Sequence, residues 1–322
     1  MIGHDAGRDT AQNWRDFAER EARGKSPLYE ELAAGVSGDS EVLALVEALP
    51  TAKRQPNLVL GAARFVTGTP DGYGDFRARL LRAWPEIRAV ALARRTQTNE
   101  VGRCATLLPL LARLPQPLAL LEVGASAGLC LNLDRYRYRY GTTELGPPDS
   151  PVTLTCEVEG DVPIPAALPR IAWRAGLDVS PLHAGDPDAA RWLETLVWPG
   201  QEERRERLSA ALAIARGAPV RVVAGDLAHD IGALAAQAPA DATLVVFHSA
   251  VLAYVAGAAR DRFAAEVTAS RATWIANEGE HVLARRGSRG VDGAGRPRFL
   301  VSQDGEPVAW ADPHGAWLGW IG

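Results

Sequence analysis

A chain of 322 residues, 47% apolar and 23% charged, has the material for one large or two medium globular domains with a sizeable core. Its net charge of −4 gives no global attraction for nucleic acid or an anionic membrane, and no apolar run reaches membrane-spanning length. Three widely spaced cysteines (Cys104, Cys130, Cys156) fit neither a disulfide framework nor a zinc pattern, and the N-terminus lacks a signal-peptide apolar region, so a reduced, cytoplasmic setting is expected.

Thr10 to Arg23 places Trp14, Phe17 and Ala18 on one helical face. Ser26-Pro27 reads as a cap followed by proline in the first turn, and Ser40 as a cap for the run Val42–Leu49, which Pro50 ends. Gln55 to Thr67, Phe76 to Trp84 and Pro85 to Arg95 are further helical runs, interrupted by the turn-rich stretch Gly68–Gly74. Residues 1–115 therefore read as an all-helical domain that roofs a pocket. Thr96 to Arg103 leads into its last helix, which Pro109 should kink. There Asn99, Glu100 and Arg103 fall within about one turn, either lining a site or capping a helix with solvated charges. Pro115-Gln-Pro117 marks the boundary to a second domain, residues 116–322.

That domain opens on Leu118-Ala-Leu-Leu-Glu-Val-Gly-Ala-Ser-Ala-Gly128, an apolar strand that enters a turn of small residues and then a helical pattern. Small residues let a ligand lie against the backbone, and a helix start offers N–H donors. Next, Arg135, Arg137 and Arg139 alternate with Tyr136, Tyr138 and Tyr140. A strand would show arginines on one face and tyrosines on the other, as an anion or RNA stripe or, more commonly, as a buried aromatic face backed by a solvated one. This stripe and Val152–Val158 form a β insertion at about 134–170. Strands and helices then alternate: Ile171–Asp178, helices from Asp188 and Glu202, Val220–Asp226, Ala242–Ser249, a helix from Arg260, and Thr273–Glu278. A doubly wound, mostly parallel sheet follows from that alternation. Asp304-Gly305 in the tail signals a hairpin, and Trp317–Ile321 a possible final strand.

Ligands of such sheets sit at the carboxyl ends of the strands. Here those ends carry Glu122 and Gly124, Asp178, Gly225 and Asp226, His248 and Ser249, and Glu278. A carboxylate there can accept from a ribose diol or an adenine amino group. His248 either orients a substrate or acts as a base, or else is hydrogen-bonded in the interior. No histidine has metal-ligand spacing, so no metal site is expected.

These motifs resemble the class I S-adenosylmethionine-dependent methyltransferases. Glu122-Val-Gly124-Ala125-Ser126-Ala-Gly128 matches their acid-x-Gly-x-Gly-x-Gly turn, with serine at the middle glycine. The resemblance implies a seven-stranded sheet closed by an antiparallel hairpin. It also implies a ribose acid at Asp178, an adenine-side Gly225-Asp226, and a methyl-facing strand end at His248-Ser249. Glu122 and Asp178 stand 56 residues apart, against about twenty in the usual arrangement, and the β insertion accounts for the excess. The whole chain also resembles DUF2332, a bacterial family of unknown function, in Gln97–Arg103, Leu121–Gly128, Asp134–Tyr138, Trp198-Pro199 and Phe247–Tyr254.

The expected function is methyl transfer from S-adenosylmethionine to an unidentified acceptor, with Asn99, Glu100, Arg103 and His248 positioning that acceptor. Its rival is an α/β-hydrolase: Gly124-Ala-Ser126-Ala-Gly128 fits Gly-x-Ser-x-Gly, with Asp226 or Asp241 and His281 or His314 completing the order. Helical upstream sequence, the lack of an oxyanion segment, and Glu122 beside the serine speak against it. A dinucleotide oxidoreductase fails at Ser126 and Leu129, where its fingerprint needs glycine. A non-catalytic binding module on the same fold is the third reading.

Overall fold

The computed structural model describes residues 9–279, 282 and 298–321. The chain forms two compact units, one of residues 1–98 and 187–206, the other of residues 99–186 and 207–322.

The first unit contains α1 (Thr10–Asp16, continued by a π-helical stretch Phe17–Ala22), α2 (Pro27–Ser37), α3 (Ser40–Glu47), α4 (Pro56–Thr67), α5 (Tyr73–Arg82) and α6 (Trp84–Ala93). Trp14, Phe17 and Ala18 are buried, as their helical spacing requires. Ser26 caps α2, its Oγ accepting from the Tyr29 N–H at 3.4 Å. The cap of α3 is Asp39 rather than Ser40: its Oδ1 accepts from the N–H groups of Glu41 and Val42 at 3.0 and 3.1 Å, while Ser40 is already helical. The first unit is not one N-terminal stretch, because residues 187–206 belong to it.

The second unit starts with α7 (Arg103–Leu111) and β1 (Leu118–Val123), whose six residues are all buried. After the turn comes not an α-helix but a 3-10 stretch, Cys130–Arg135, broken at Asn132 (φ −97°, ψ 23°). The chain must re-extend at once for the tyrosine strand, and a 3-10 segment spans that short interval. The insertion supplies β2 (Arg137–Tyr140), β3 (Thr143–Leu145) and β4 (Thr153–Thr155), a small sheet of order β3-β2-β4, and β5 (Glu157–Glu159). Tyr136, Tyr138 and Tyr140 are buried, and their hydroxyls donate to the carbonyls of Leu129, Leu133 and Ala105 at 2.6, 2.7 and 2.6 Å. On the other face Arg137 and Arg139 both pair with Glu144. The stripe is thus a half-buried strand whose arginines share a carboxylate.

Then follow β6 (Ile171–Asp178), α8 (Pro187–Leu196), α9 (Glu202–Gly217), β7 (Val222–Ala224), α10 (Ile231–Ala235), β8 (Thr243–Ser249) and α11 (Gly257–Ala269). The last strands are β9 (Thr273–Gly279), β10 (Phe299–Gln303), β11 (Glu306–Ala311) and β12 (Trp317–Trp320). The main sheet has nine strands, in the order β5-β12-β11-β10-β9-β8-β1-β6-β7, not the expected seven. The tail forms the expected hairpin, β10 and β11 joined at Asp304-Gly305, and the final strand β12 extends it to a three-stranded antiparallel meander and pairs with the three-residue β5 at the edge. Neither partner is a strong strand signal alone; each is completed by the other's backbone donors and acceptors.

The five strands β9-β8-β1-β6-β7 are parallel. Chain order runs outward from β1 to β6 and β7, then restarts on its other side at β8, so the topological switch point lies between β1 and β8. Ala119, Leu121 and Val123 face a core with Leu244, Val246, Ile231 and Phe263. By alternation Leu118, Leu120 and Glu122 face the opposite side.

Candidate functional site

Register places four polar side chains in a row on that opposite face, at the carboxyl ends of adjacent strands. Glu122 (β1) pairs with Gly176 and Phe247, and two residues beyond these lie Asp178 (β6) and Ser249 (β8); Ser249 in turn pairs with Asn277 (β9). Parallel neighbours in register share a face, so the row follows from the hydrogen-bond ladder alone. Asp178, Glu122 and Asn277 are all buried.

The turn after β1 is held by left-handed backbone at Gly124 (φ +70°), Ser126 (φ +51°) and Gly128 (φ +67°). A serine in that region carries about 1 kcal/mol or more of strain that glycine would not. The turn is tied on both sides. Gly124 N and Ala125 N donate to Leu177 O at 2.8 and 3.3 Å, and Ser126 N donates to Asp178 Oδ2 at 2.7 Å. Asn99 Nδ2 donates to Ser126 Oγ at 2.8 Å, and Asn99 Oδ1 accepts from Ala127 N at 3.2 Å. Asn99 is therefore brought onto the turn. The N–H groups expected to be free for a ligand are instead engaged by protein.

Asp178 also accepts from Ser180 N, at 2.8 Å on Oδ1. Gly225 N donates to the Asp178 carbonyl at 3.0 Å. Asp226 is exposed, its Oδ1 accepting from Ala228 N at 2.8 Å. Glu100, though 2% exposed, accepts on Oε1 from Gly102 N at 3.0 Å and from Arg207 Nη2 at 3.0 Å. His314 Nδ1 lies 3.6 Å from Glu100 Oε2. Arg103 turns inward to the carbonyls of Pro313 and Ser249.

Burial pushes the Glu122 carboxyl well above the ordinary carboxylate range, with the neighbouring Cys130 and Asp178 adding to the rise and Arg103 opposing it. Folded protein thus keeps this proton where the unfolded chain has lost it, so its contribution to stability falls as pH rises past the ordinary 4.5. Relative to Glu122→Gln, wild type should lose stability as pH rises above about 5, by up to about 1.4 kcal/mol per pH unit until the folded-state carboxyl itself ionises. Urea titrations of both proteins at several pH values check this, and parallel pH dependences would contradict it.

His248 is fully buried, with Nδ1 2.7 Å from Glu278 Oε1 and Nε2 accepting from the Trp274 indole N–H at 3.0 Å. An indole N–H can only donate, so Nε2 is the bare nitrogen and Nδ1–H faces the carboxylate. Its Nε2 lone pair is occupied by the indole, an arrangement that matches the interior reading of this histidine. Sequence reasoning missed Trp274 and Asn277. The one available signal was the adjacent buried pair Asn277-Glu278 ending a hydrophobic strand.

Of the hydrolase residues, Asp241 precedes β8 and so lies at the opposite end of the sheet from Ser126. His281 lies outside the described residues. Among the described residues no cluster of three or more His, Cys, Asp or Glu could hold a metal ion, and no helix is long and apolar enough to cross a membrane.

No curated protein and no solved structure matches the chain. Residues 11–320 match a family described as uncharacterized protein conserved in bacteria. Covering nearly the whole length, both units included, that match makes the chain a member of the DUF2332 family.

Proposed function

We propose that the second unit binds S-adenosylmethionine at the switch point and directs its methyl group to an acceptor, a small molecule or a macromolecule. The observation that carries this reading is the row of polar side chains at the carboxyl ends of β6, β1, β8 and β9, beside a left-handed small-residue turn. The residues suit the nucleoside: Asp178 uses one lone pair on each oxygen for a backbone N–H and keeps another on each for a ribose hydroxyl, and Asp226 is exposed beyond β7. Glu122, Gly124, Ala125, Ser126, Gly128 and Gly225 shape the cradle. When bound, this cofactor supplies an electrophilic methyl group on a sulfonium. The chain's part is to hold the acceptor in line with it and exclude water, with Asn99, Glu100 and Arg103 as the positioning groups and His248 fixing the wall behind them.

One observation favours the hydrolase as second reading: Ser126 has the strained, left-handed conformation of a nucleophile elbow. Ser126→Ala separates the two. A methyltransferase should retain S-adenosylmethionine affinity within about fivefold, since losing the bond from Asn99 to the hydroxyl costs roughly 1 kcal/mol or less and the backbone of the turn is kept. Loss of an esterase activity measured on p-nitrophenyl esters, with cofactor binding absent in wild type, would replace the proposal with the rival.

A further inference from the structure

Arg103 is the first residue of α7 and 5% exposed. Its Nε donates to Pro313 O at 2.9 Å and its Nη1 to Ser249 O at 3.0 Å, and its guanidinium lies 5.7 Å from the Phe299 ring centroid. Both acceptors are neutral carbonyls. Among the described residues Nη2 donates no hydrogen bond and Arg103 forms no ion pair. The nearby carboxylates form no ion pair with it: Glu100 is paired with Arg207, and burial favours the protonated form of Glu122. A guanidinium cannot shed its proton, and a cation at a helix N-terminus opposes the helix dipole. A buried, uncompensated charge in that place is costly unless an anion completes it.

A second observation points to the same spot. Ser249 Oγ, Asn277 Oδ1 and Glu122 Oε2 are buried without hydrogen-bond partners. Asn277 Nδ2 reaches Thr106 Oγ1 at 3.4 Å, and that hydroxyl donates to Arg103 O at 2.9 Å, so the amide lies under the turn that carries Arg103. Buried polar atoms are rarely left unmatched in a native protein. The set has a definite complement. Arg103 offers the open edge of its fork, Ser249 offers a hydroxyl donor, Glu122 offers another in the protonated form that its burial favours, and Asn277 Oδ1 needs a donor in return.

We infer that Arg103, Ser249, Glu122 and Asn277 form a subsite for a carboxylate flanked by an amino or hydroxyl group. Two sources share this chemistry: an amino or hydroxy acid as methyl acceptor, and the amino-acid end of S-adenosylmethionine itself. The inference rests on the methyl-transfer reading only in assigning the ligand to one of these.

The experiment compares wild type, Arg103→Gln and Arg103→Lys, each first shown to unfold cooperatively, by calorimetry with S-adenosylmethionine and with its decarboxylated analogue, and by thermal shift with glycolate and L-methionine. If the carboxylate is the cofactor's, wild type prefers S-adenosylmethionine at least tenfold over the analogue and Arg103→Gln loses that preference. If it is the acceptor's, both cofactors bind alike, while glycolate or methionine raises Tm in wild type and not in Arg103→Gln. Arg103→Lys, which keeps the charge without the fork, should fall between. A Tm rise from the acids that Arg103→Gln abolishes, with no cofactor binding at all, keeps the subsite and removes the methyltransferase. No preference and no Arg103-dependent shift overturns the subsite itself.

Discussion

Glu278→Ala should lower the stability of the second unit by about 3 kcal/mol or more, the largest loss expected from any single site residue. Oε1 of this carboxylate accepts from His248 Nδ1 at 2.7 Å, Val251 N at 2.8 Å and Leu252 N at 3.1 Å, and the side chain is fully buried. Removing it strands three donors in the interior, each costing about 1–3 kcal/mol, and opens a cavity beside His248. The effect should reach the site through geometry. Val251 and Leu252 begin the loop after β8, where Ala250 adopts φ +57°. A left-handed alanine is maintained only when its surroundings fix it, and Glu278 is what fixes these. Glu278→Gln, which retains an acceptor at Oε1, should recover most of the loss. Urea midpoints at constant m value test this, and a loss below about 0.5 kcal/mol for the alanine variant would show the network to be dispensable.

Gly124→Ala should cost about 3 kcal/mol, combining two separable effects. The backbone at φ +70° strains any side chain, by about 1 kcal/mol. In addition, a Cβ at this position would be driven into Val251 Cγ2 and would lie 3.1 Å from Cγ1. Val251→Ala in the same chain relieves the second effect and leaves the first. The double variant should therefore be more stable than the sum of the single changes predicts by about 1–2 kcal/mol. Strict additivity would mean that the turn does not rest against the β8 loop. Because Glu278 holds Val251 and Val251 abuts Gly124, the acid at the end of β9 shapes the turn at the end of β1.

What could be seen in the sequence were features set by neighbours along the chain. The apolar run Leu118–Val123 ending in an acid and a small-residue turn could only be a buried strand, and the period-two alternation of Tyr136–Tyr140 required one aromatic face. Repeated strand–helix units gave the parallel half of the sheet, and with it the strand ends where Glu122, Asp178 and Glu278 stand. Features set by cross-strand register were hidden. Nothing local brings Trp274 to His248, or places Asn277 under Thr106, because both depend on how β8 aligns with β9. The expectation of seven strands failed for the same reason: β5 is three residues long and joins the nine-stranded sheet only where β12 meets it. Ser126 lies between these cases. The sequence identified it as a residue standing where glycine is usual, and only the fold shows its strain and its bond to Asn99.

The central claim is that the carboxyl ends of β1, β6 and β7 hold S-adenosylmethionine through Asp178. Calorimetric titration of the folded protein with this cofactor, in wild type and in Asp178→Ala, tests it most directly. The account predicts saturable binding at one site per chain, weakened about tenfold or more in Asp178→Ala, since a buried acceptor pair for the ribose diol contributes roughly 1.5–3 kcal/mol. No binding heat at millimolar cofactor, or equal affinity in the two proteins, would contradict it.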